Sequence, residues 1–260
     1  MDHEPAKVTE LNPERPKRPR GIYLLPNLLT TAALFAGFYA VLAAVNDQFE
    51  KAAIAIFLAM ILDGLDGRVA RMTNTQTAFG AEYDSLSDMV AFGLAPSLVV
   101  YEWSLFHLGK LGWLAAFIYT AGAALRLARF NSQIATADKR FFTGLPSPSA
   151  AAIIAGLVWV GYDNTLPGDP MAWPALVLTA GAGLLMVSNI KFHSFKQIDF
   201  RGKVPFFVVV GVMLAFAVVI SEPPIALFTV FLAYTLSGPI LAVGRQMRRR
   251  RKAAEGPESD

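Results

Sequence analysis

Residues Asp63–Asp88 read DGLDGRVARMTNTQTAFGAEYDSLSD, and the rest of the chain is interpreted around them. This stretch contains four aspartates, which we call the acidic quartet: Asp63, Asp66, Asp84 and Asp88. Spacings of i, i+3 and i, i+4 place each pair on one face of a helix. Because carboxylates at membrane depth are costly, they mark a functional site when apolar segments surround them. The sequence therefore predicts two helices, joined by a turn near Thr73–Ala78, that bring four carboxylates to one point.

The composition is that of a polytopic membrane protein. Of the 260 residues, 54% are hydrophobic and only 17% are charged, and the mean hydropathy is +0.44. Such a chain is too apolar for an ordinary soluble domain. It contains no cysteine, which excludes disulfides and thiolate metal sites, and its three histidines are too scattered for a histidine-based metal site.

Eight apolar segments approach the ~20 residues that a helix needs to cross the bilayer core. They lie near residues 22–45, 50–72, 79–105, 111–132, 148–165, 172–190, 204–221 and 224–244. We therefore expect an all-α membrane bundle of about eight transmembrane helices, forming one domain over residues 22–245. Residues 1–21 are expected to be a disordered basic cytosolic tail, and residues 246–260 a basic and then polar cytosolic tail.

The basic residues predict the orientation. If the N-terminus is cytosolic, all of the 23 Lys and Arg residues except Lys51 and Lys110 lie on the cytosolic side. The positive-inside rule then favours an even number of spans with both termini in the cytosol. We expect an integral protein of the cell (inner) membrane with the acidic quartet at the cytosolic face.

The donor set of the quartet predicts the type of ligand. Oxygen donors without Cys or His select hard cations such as Mg²⁺, Mn²⁺ or Ca²⁺, which commonly neutralise phosphate oxygens. Gly67 and Gly80 would let a phosphate or base approach the backbone, and Arg71 could contact a phosphate. In the alternative interpretation the quartet forms buried salt bridges with Arg68, Arg71, Arg126 and Arg129. Desolvating so many charges without a cation would cost several kcal/mol per ion, which disfavours this alternative.

The pattern Asp63-x-x-Asp66-Gly67-x-x-Ala70-Arg71, eight residues, then Gly80-x-x-x-Asp84-x-x-x-Asp88 resembles the complete signature of the CDP-alcohol phosphatidyltransferases. The resemblance implies a helical membrane enzyme, usually a homodimer, that displaces CMP from a CDP-linked lipid with an alcohol. It implies that the quartet binds one or two divalent ions, Mg²⁺ or Mn²⁺ with Ca²⁺ as an alternative occupant. It also implies a set of residues for CDP-diacylglycerol: Asn27, Thr30, Asp66, Gly67, Arg71, Thr77 and Gly80.

The same resemblance implies that Asp88 is the catalytic base. An alcohol is a poor nucleophile at neutral pH, and a positioned general base is typically worth ~10²–10⁴-fold in rate. Because Asp88 lies one helical turn from Asp84, it can touch the metal site and face the incoming alcohol. Whether it acts as ligand, base or both stays open at this point.

Further stretches resemble the bacterial and archaeal phosphatidylserine synthases, which implies L-serine as the acceptor. They are PNLLT (26–30), ALRLARFN (124–131), FTGLPSPSAA (142–151) and KQIDFRGKVPFF (196–207). The carboxylate of serine needs a cation, and Arg126 or Arg129 could supply one. The predicted serine-binding residues are Arg126, Arg129, Asn131, Thr143, Ser147 and Ser149. Both arginines could instead merely mark the cytosolic end of a helix.

Two other functions stay open. The first is the same reaction with another alcohol: glycerol 3-phosphate, inositol, inositol phosphate or choline. The second is an ion-coupled transporter, which predicts acidic residues spread along a pathway and often repeated halves, neither of which the sequence contains. In every case we expect membrane lipids, and no nucleic acid, as partners.

Three smaller features carry predictions about packing. The small residues at Gly181–Gly183 and at Gly211-x-x-x-Ala215 suit close helix contact, either within the molecule or across a dimer. Pro96 is expected to kink the third segment just beyond the quartet. The last two segments carry no distinguishing motif.

Overall fold

The structure, a computed structural model, describes residues 24–133, 141–193 and 206–254. Within these ranges the chain forms nine α-helices: α1 (Leu24–Val45), α2 (Phe49–Thr73), α3 (Ala78–Asp88), α4 (Ala95–Trp103), α5 (Lys110–Gln133), α6 (Ser147–Asp163), α7 (Gly168–Val187), α8 (Phe206–Ser221) and α9 (Pro223–Ala254). A π-helical turn (Met89–Leu94) joins α3 to α4, and a 3₁₀ turn (Leu105–Leu108) precedes α5. Two three-residue strands, β1 (Phe141–Thr143) and β2 (Lys191–His193), pair antiparallel.

The fold is that of an all-α integral membrane protein. Among the described residues, four helices are long and apolar enough to cross a membrane: α1, α5 over Lys110–Ser132, α7, and α9 over Pro223–Gly244. The other four predicted spans do not meet these criteria, because α2 contains the charges of the signature, α6 and α8 have only 17 and 16 residues, and the third segment is interrupted. The arrangement of eight spans with cytosolic termini stays a prediction, and the tail of residues 1–21 lies outside the described residues.

Small residues bring α1 and α2 together, and these two helices hold one side of the acidic quartet. Alanines bury this contact almost completely: Ala33, Ala36, Ala40, Ala43 and Ala44 on α1, and Ala52, Ala53, Ala55 and Ala59 on α2. In a lipid environment such residues allow close approach of two backbones and therefore many dispersion contacts. The pair thus forms a rigid support for the carboxylates at the end of α2.

The predicted turn between the two acidic helices is confirmed. Asn74 adopts a left-handed conformation with φ 51°, which ends α2, and Thr75 N donates to Ala70 O at 3.0 Å. Thr77 caps α3, since its hydroxyl accepts a hydrogen bond from Gly80 N at 2.9 Å. The chain therefore reverses direction within four residues, so the faces of α2 and α3 that carry the quartet meet.

The irregularity expected at Pro96 is the π-helical turn that directly follows Asp88. Proline has no N–H, so the carbonyl four residues earlier, that of Phe92, has no α-helical donor. The buried hydroxyl of Tyr119 on α5 donates to this carbonyl at 2.9 Å. A hydrogen bond from a distant helix thus satisfies the backbone next to the acidic site, where π-turns frequently occur.

Close packing at Gly183 lies within the molecule. A Cβ atom built there would be 2.7 Å from Tyr119 Cα on α5, whereas one built at Gly181 or Gly211 would meet no atom of the described residues within 4 Å. Gly183 therefore belongs to the contact between α5 and α7. Helix α9 continues ten residues beyond its predicted end at residue 244, because the Arg, Lys, Met, Gln and Ala residues there are good helix formers.

Candidate active site

Three carboxylates of the acidic quartet converge. Asp63, Asp66 and Asp84 each offer one oxygen, and these oxygens lie within 4.8 Å of one another. Helix α2 supplies the first two and α3 the third. Asp66 is only 4% exposed, and the other two are half-buried. The separation is one that a single cation can bridge, since carboxylate oxygens bind Mg²⁺ or Ca²⁺ at about 2.0–2.6 Å.

Asp88 completes the quartet through Asp63. The two side chains form a hydrogen bond, and Asp84 and Asp66 are close enough to act on Asp88 electrostatically. Two carboxyl groups in contact repel each other unless a proton or a cation lies between them. The structure therefore places Asp88 beside the three converging carboxylates, and its contact with a cation or a substrate stays a prediction.

The surroundings of Asp84 fit a cation. Its Oδ1 is buried and has no hydrogen-bond partner among the described residues. A buried carboxylate oxygen without a partner is costly, and a hard cation would remove that cost. Arg68 and Arg71, two of the arginines in the salt-bridge alternative, have exposed side chains. The donor set thus suits Mg²⁺ or Mn²⁺ better than a network of salt bridges.

Thr30 lies behind Asp66. Its hydroxyl is 2.6 Å from Asp66 Oδ2 and 3.1 Å from Pro26 O, so the closer, charged acceptor takes its only proton. Ser87 Oγ in turn donates to the Thr30 carbonyl at 3.1 Å, which ties α3 to α1. Sequence analysis placed Thr30 at the nucleotide, and the structure gives it a contact that orients a metal-ligand candidate.

The residues expected at the nucleotide form two groups. Gly80, Thr77 and Asn27 lie together, because a Cβ atom at Gly80 would be 3.1 Å from Thr77 Oγ1 and 3.5 Å from Asn27 Oδ1. Gly67 faces Arg71, whose Nη1 would be 3.7 Å from a Cβ atom at that position. Both groups adjoin the quartet on α2 and α3, and their contact with a nucleotide stays a prediction.

Arg126 faces the quartet from α5. Its Nη1 donates to Ser147 Oγ at 2.9 Å, and its Nε is buried without a hydrogen-bond partner among the described residues. Its charge acts on Asp88 and on Tyr234 of α9. Tyr234 also packs against Phe192, and the centroids of the two rings are 5.7 Å apart. Sequence analysis missed Tyr234, because no motif in α9 marks its position.

Arg129 lies one turn further along α5, and its contacts are mostly with backbone carbonyls. Its two terminal nitrogens donate to five oxygens: Val187 O at 3.0 Å, Asn189 Oδ1 at 3.3 Å, Thr143 O at 3.0 Å, Met186 O at 3.3 Å and Ser188 O at 3.3 Å. Sequence analysis missed this arrangement, because the acceptors are backbone atoms of distant segments and leave no pattern.

The other predicted serine-binding residues are dispersed around Arg126. Asn131 Nδ2 donates to Ser85 Oγ at 3.0 Å, so it contacts α3 between Asp84 and Asp88 in sequence. Ser147 is buried, Ser149 is half-buried in the first turn of α6, and Thr143 is exposed. Their contact with an acceptor stays a prediction.

Comparison with known proteins identifies relatives. The family model for CDP-alcohol phosphatidyltransferase matches residues 23–237. A CDP-diacylglycerol–serine O-phosphatidyltransferase of Helicobacter pylori is 39% identical over 200 residues, 75% of this chain and 82% of the relative. The enzyme of that name from Bacillus subtilis is 34% identical over 66% of this chain and 92% of its own length. An archaetidylserine synthase of Methanothermobacter thermautotrophicus is 32% identical over 65% of this chain and 69% of its own length.

Proposed function

Because the chain belongs to the CDP-alcohol phosphatidyltransferase family, we propose that it transfers the phosphatidyl group of CDP-diacylglycerol to L-serine and releases CMP. The names of its relatives support serine as the acceptor. The physical observation that carries this choice is Arg126, a guanidinium that interacts with Asp88 and whose buried Nε has no hydrogen-bond partner in the described part of the chain. Such a cation suits the carboxylate of an amino acid, which choline and inositol lack.

The acidic quartet is proposed to hold one or two divalent ions, Mg²⁺ or Mn²⁺. When bound, a divalent cation would neutralise the pyrophosphate oxygens of the donor and stabilise CMP as the leaving group. Asp63, Asp66 and Asp84 would supply the ligand oxygens, and Thr30 would keep Asp66 in position. The unpaired Oδ1 of Asp84 supports this assignment.

Asp88 is proposed to act as the base. It interacts electrostatically with the converging carboxylates and with Arg126, so a serine whose carboxylate binds Arg126 would present its hydroxyl near Asp88. The proton of that hydroxyl moves to Asp88 as the oxygen attacks the phosphorus that bears diacylglycerol. The bond from this phosphorus to the bridging oxygen of CMP breaks, and phosphatidylserine and CMP leave.

A groove on the outside of α1 and α2 supports lateral entry of the lipid donor. Its lining is apolar except for Lys51: Ala32, Phe35, Ala36, Tyr39, Lys51, Ile54, Ala55, Leu58 and Leu62. The groove ends at Leu62, which directly precedes Asp63 in α2. An acyl chain lying in it would bring the pyrophosphate of CDP-diacylglycerol toward the acidic quartet.

The cellular arrangement is also part of the proposal. The distribution of basic residues supports an inner-membrane location with the quartet and both tails on the cytosolic side. Gly181 and Gly211, which have no close neighbour within the described ranges, would be available for contact with a second copy in a homodimer. Since the chain has no cysteine, single introduced cysteines with a membrane-impermeant thiol reagent would map both termini directly.

The test of the reaction is CMP release by the purified protein from CDP-diacylglycerol and Mg²⁺ or Mn²⁺. We expect release with serine and none with glycerol 3-phosphate, inositol, inositol phosphate or choline. Release with one of those alcohols alone would reassign the acceptor. Absence of release with every alcohol would overturn the proposal.

Variants of the quartet separate the two roles. Asp88→Asn should lower turnover by about 10²–10⁴-fold, the usual value of a general base, while CDP-diacylglycerol binding is largely kept. Asp84→Asn should weaken metal dependence and nucleotide binding together. Asp163→Asn, at the exposed last residue of α6, is the control. Equal behaviour of the Asp84 and Asp88 variants would show that the division into base and ligand is wrong.

A further inference from the structure

We infer that Arg129 is a positioning residue: it fixes the segment Thr143–Ser147 against the end of α7, and the site thereby keeps its affinity for the acceptor. The inference rests on the proposed function. It departs from the expectation that Arg129 binds serine itself, and it assigns that contact to Arg126.

The first observation is the number and origin of the oxygens that Arg129 contacts. Four of its five acceptors belong to the end of α7 and the residues that follow: Met186, Val187, Ser188 and Asn189. The fifth is the carbonyl of Thr143, at the end of β1. One planar guanidinium thus joins three separate parts of the chain, namely α5, the start of the segment Thr143–Ser147 and the end of α7.

Helix physics explains why an arginine stands there. The last carbonyls of a helix have no partner within the helix, and they carry its partial negative charge. The guanidinium offers several N–H donors in a fixed planar fork, which matches a cluster of carbonyls. A lysine provides the same charge but not the fork, so Arg129→Lys should not replace the arginine.

The second observation is that the segment itself is built for this contact. Gly144 has φ 80°, where L-residues are strained, and a Cβ atom there would collide with the Met186 carbonyl. Gly144 N donates to Ile190 O at 2.8 Å, and Leu145 N donates to Leu185 O at 3.0 Å. The side chain of Leu145 is completely buried. The loop therefore lies directly on the end of α7.

The consequence appears at Ser147. This residue begins α6, three residues after Gly144, and its hydroxyl accepts the hydrogen bond from Arg126. If Arg129 is removed, the segment keeps its two backbone hydrogen bonds but loses the guanidinium that joins Thr143 to the last carbonyls of α7, so Ser147 holds Arg126 less firmly. The quartet is unaffected, since α2 and α3 supply it. The expected defect is therefore confined to the acceptor side.

The test compares Arg129→Gln and Arg129→Lys with the unaltered protein in the CMP-release assay. We expect KM for serine to rise at least about tenfold in both variants, the usual sign of lost binding energy. KM for CDP-diacylglycerol and the Mn²⁺ dependence should stay within about twofold of the unaltered values, because weakened uniform binding of one substrate need not affect the other. An equal loss of affinity for both substrates, or an unchanged KM for serine, would overturn the inference.

A disulfide separates positioning from direct contact. Phe141 and His193 face each other in the antiparallel ladder. Hydrogen-bonded and non-hydrogen-bonded pairs alternate along such a ladder. Because Gly144 N donates to the facing Ile190 O, the pair of Phe142 and Phe192 is also hydrogen-bonded, and the pair of Phe141 and His193 is not. Cα atoms in such a pair are ~4.5 Å apart, which allows a disulfide. In a chain without other cysteines, Phe141→Cys with His193→Cys forms a defined crosslink.

Oxidation of this pair in the Arg129→Gln background should restore KM for serine to within about threefold of the unaltered value, and reduction should remove the rescue. A crosslinked protein whose KM stays high would show that Arg129 binds serine directly, and the inference would be wrong. Should the crosslink fail to form, Gly144→Ala provides a second test, since its Cβ would displace both the Met186 carbonyl and Arg129 Nη2 from the contact that the inference invokes. A normal KM for serine in that variant would also overturn the inference. An unaltered protein without serine-dependent release would instead overturn the proposed function.

Discussion

Replacing Thr30 by valine should weaken cation binding while leaving the fold intact. Valine has nearly the shape of threonine but cannot donate a hydrogen bond. The buried carboxylate of Asp66 would lose the hydroxyl that now lies 2.6 Å from its Oδ2. Asp66 would then be held only by the backbone hydrogen bond from Gly67 among its described hydrogen-bond partners, and less firmly in the position in which its oxygen lies within 4.8 Å of those of Asp63 and Asp84.

The size of the effect follows from the type of hydrogen bond. A hydrogen bond to a charged group contributes about 1.5–3 kcal/mol. Since about 1.4 kcal/mol corresponds to a tenfold change in an equilibrium constant, the metal should bind about 10- to 150-fold more weakly. Loss of a group that orients a metal ligand typically costs about 10–100-fold, which agrees with this range.

Two measurements and two matched variants test the reasoning. The Mn²⁺ concentration for half-maximal CMP release should rise in Thr30→Val, and the rise in Tm that Mn²⁺ causes without substrate should shrink. Thr30→Ser keeps the hydroxyl and should behave like the unaltered protein. Thr31→Val removes an exposed hydroxyl that bonds Tyr83 and the Asn27 carbonyl, so its Mn²⁺ dependence should not change. A normal Mn²⁺ dependence in Thr30→Val, or an equal shift in Thr31→Val, would refute the role given to Thr30.

Three further predictions concern packing and the lipid donor. Gly183→Ala should destabilise the protein by about 1–3 kcal/mol, because its Cβ would press against α5. Gly181→Ala, the control, should be neutral or stabilise by up to ~1 kcal/mol. Thermal unfolding in detergent measures both variants, and equal losses of stability would contradict the assigned contact. Tyr119→Phe removes the hydrogen bond to the buried Phe92 carbonyl of the π-turn and should cost about 1–3 kcal/mol in the free energy of unfolding. An unchanged denaturation midpoint would count against this hydrogen bond. Ile54→Trp should fill the groove and raise KM for CDP-diacylglycerol without changing KM for serine. Ile61→Trp, at an exposed position outside the groove, should change neither KM. Identical kinetics for the two variants would show that the acyl chain lies elsewhere.

The acidic centre was predictable because its information is local. Carboxylates at i, i+3 and at i, i+4 share a face of any helix, whatever surrounds it. The turn between the two helices was also predictable, since Asn74 and Thr77 have side chains suited to ending and beginning helices. Family resemblance then assigned chemistry to the cluster, and the matched family model confirms the family.

The division of labour between the two arginines was not predictable. Both lie near the end of α5, one turn apart, and either could have supplied a cation for an acceptor. The difference arises from the end of α7 and from β1, which place carbonyls around Arg129 and leave Arg126 beside Ser147. The strands themselves have three residues each, too few to give a periodic pattern.

Helical spacing and hydrophobicity accordingly account for the membrane class, the helices and the convergence of the acidic residues, because a helix sets side-chain direction within a few residues. The contacts of Thr30, Tyr119, Arg126 and Arg129 depend on how separate helices pack. The partners of the two arginines, apart from Thr143, lie 21 to 60 residues away along the chain. The partner of Thr30 is 36 residues away, and that of Tyr119 is 27 residues away. Many sequences with the same local pattern could pack differently, so these contacts emerge only when the helices are assembled.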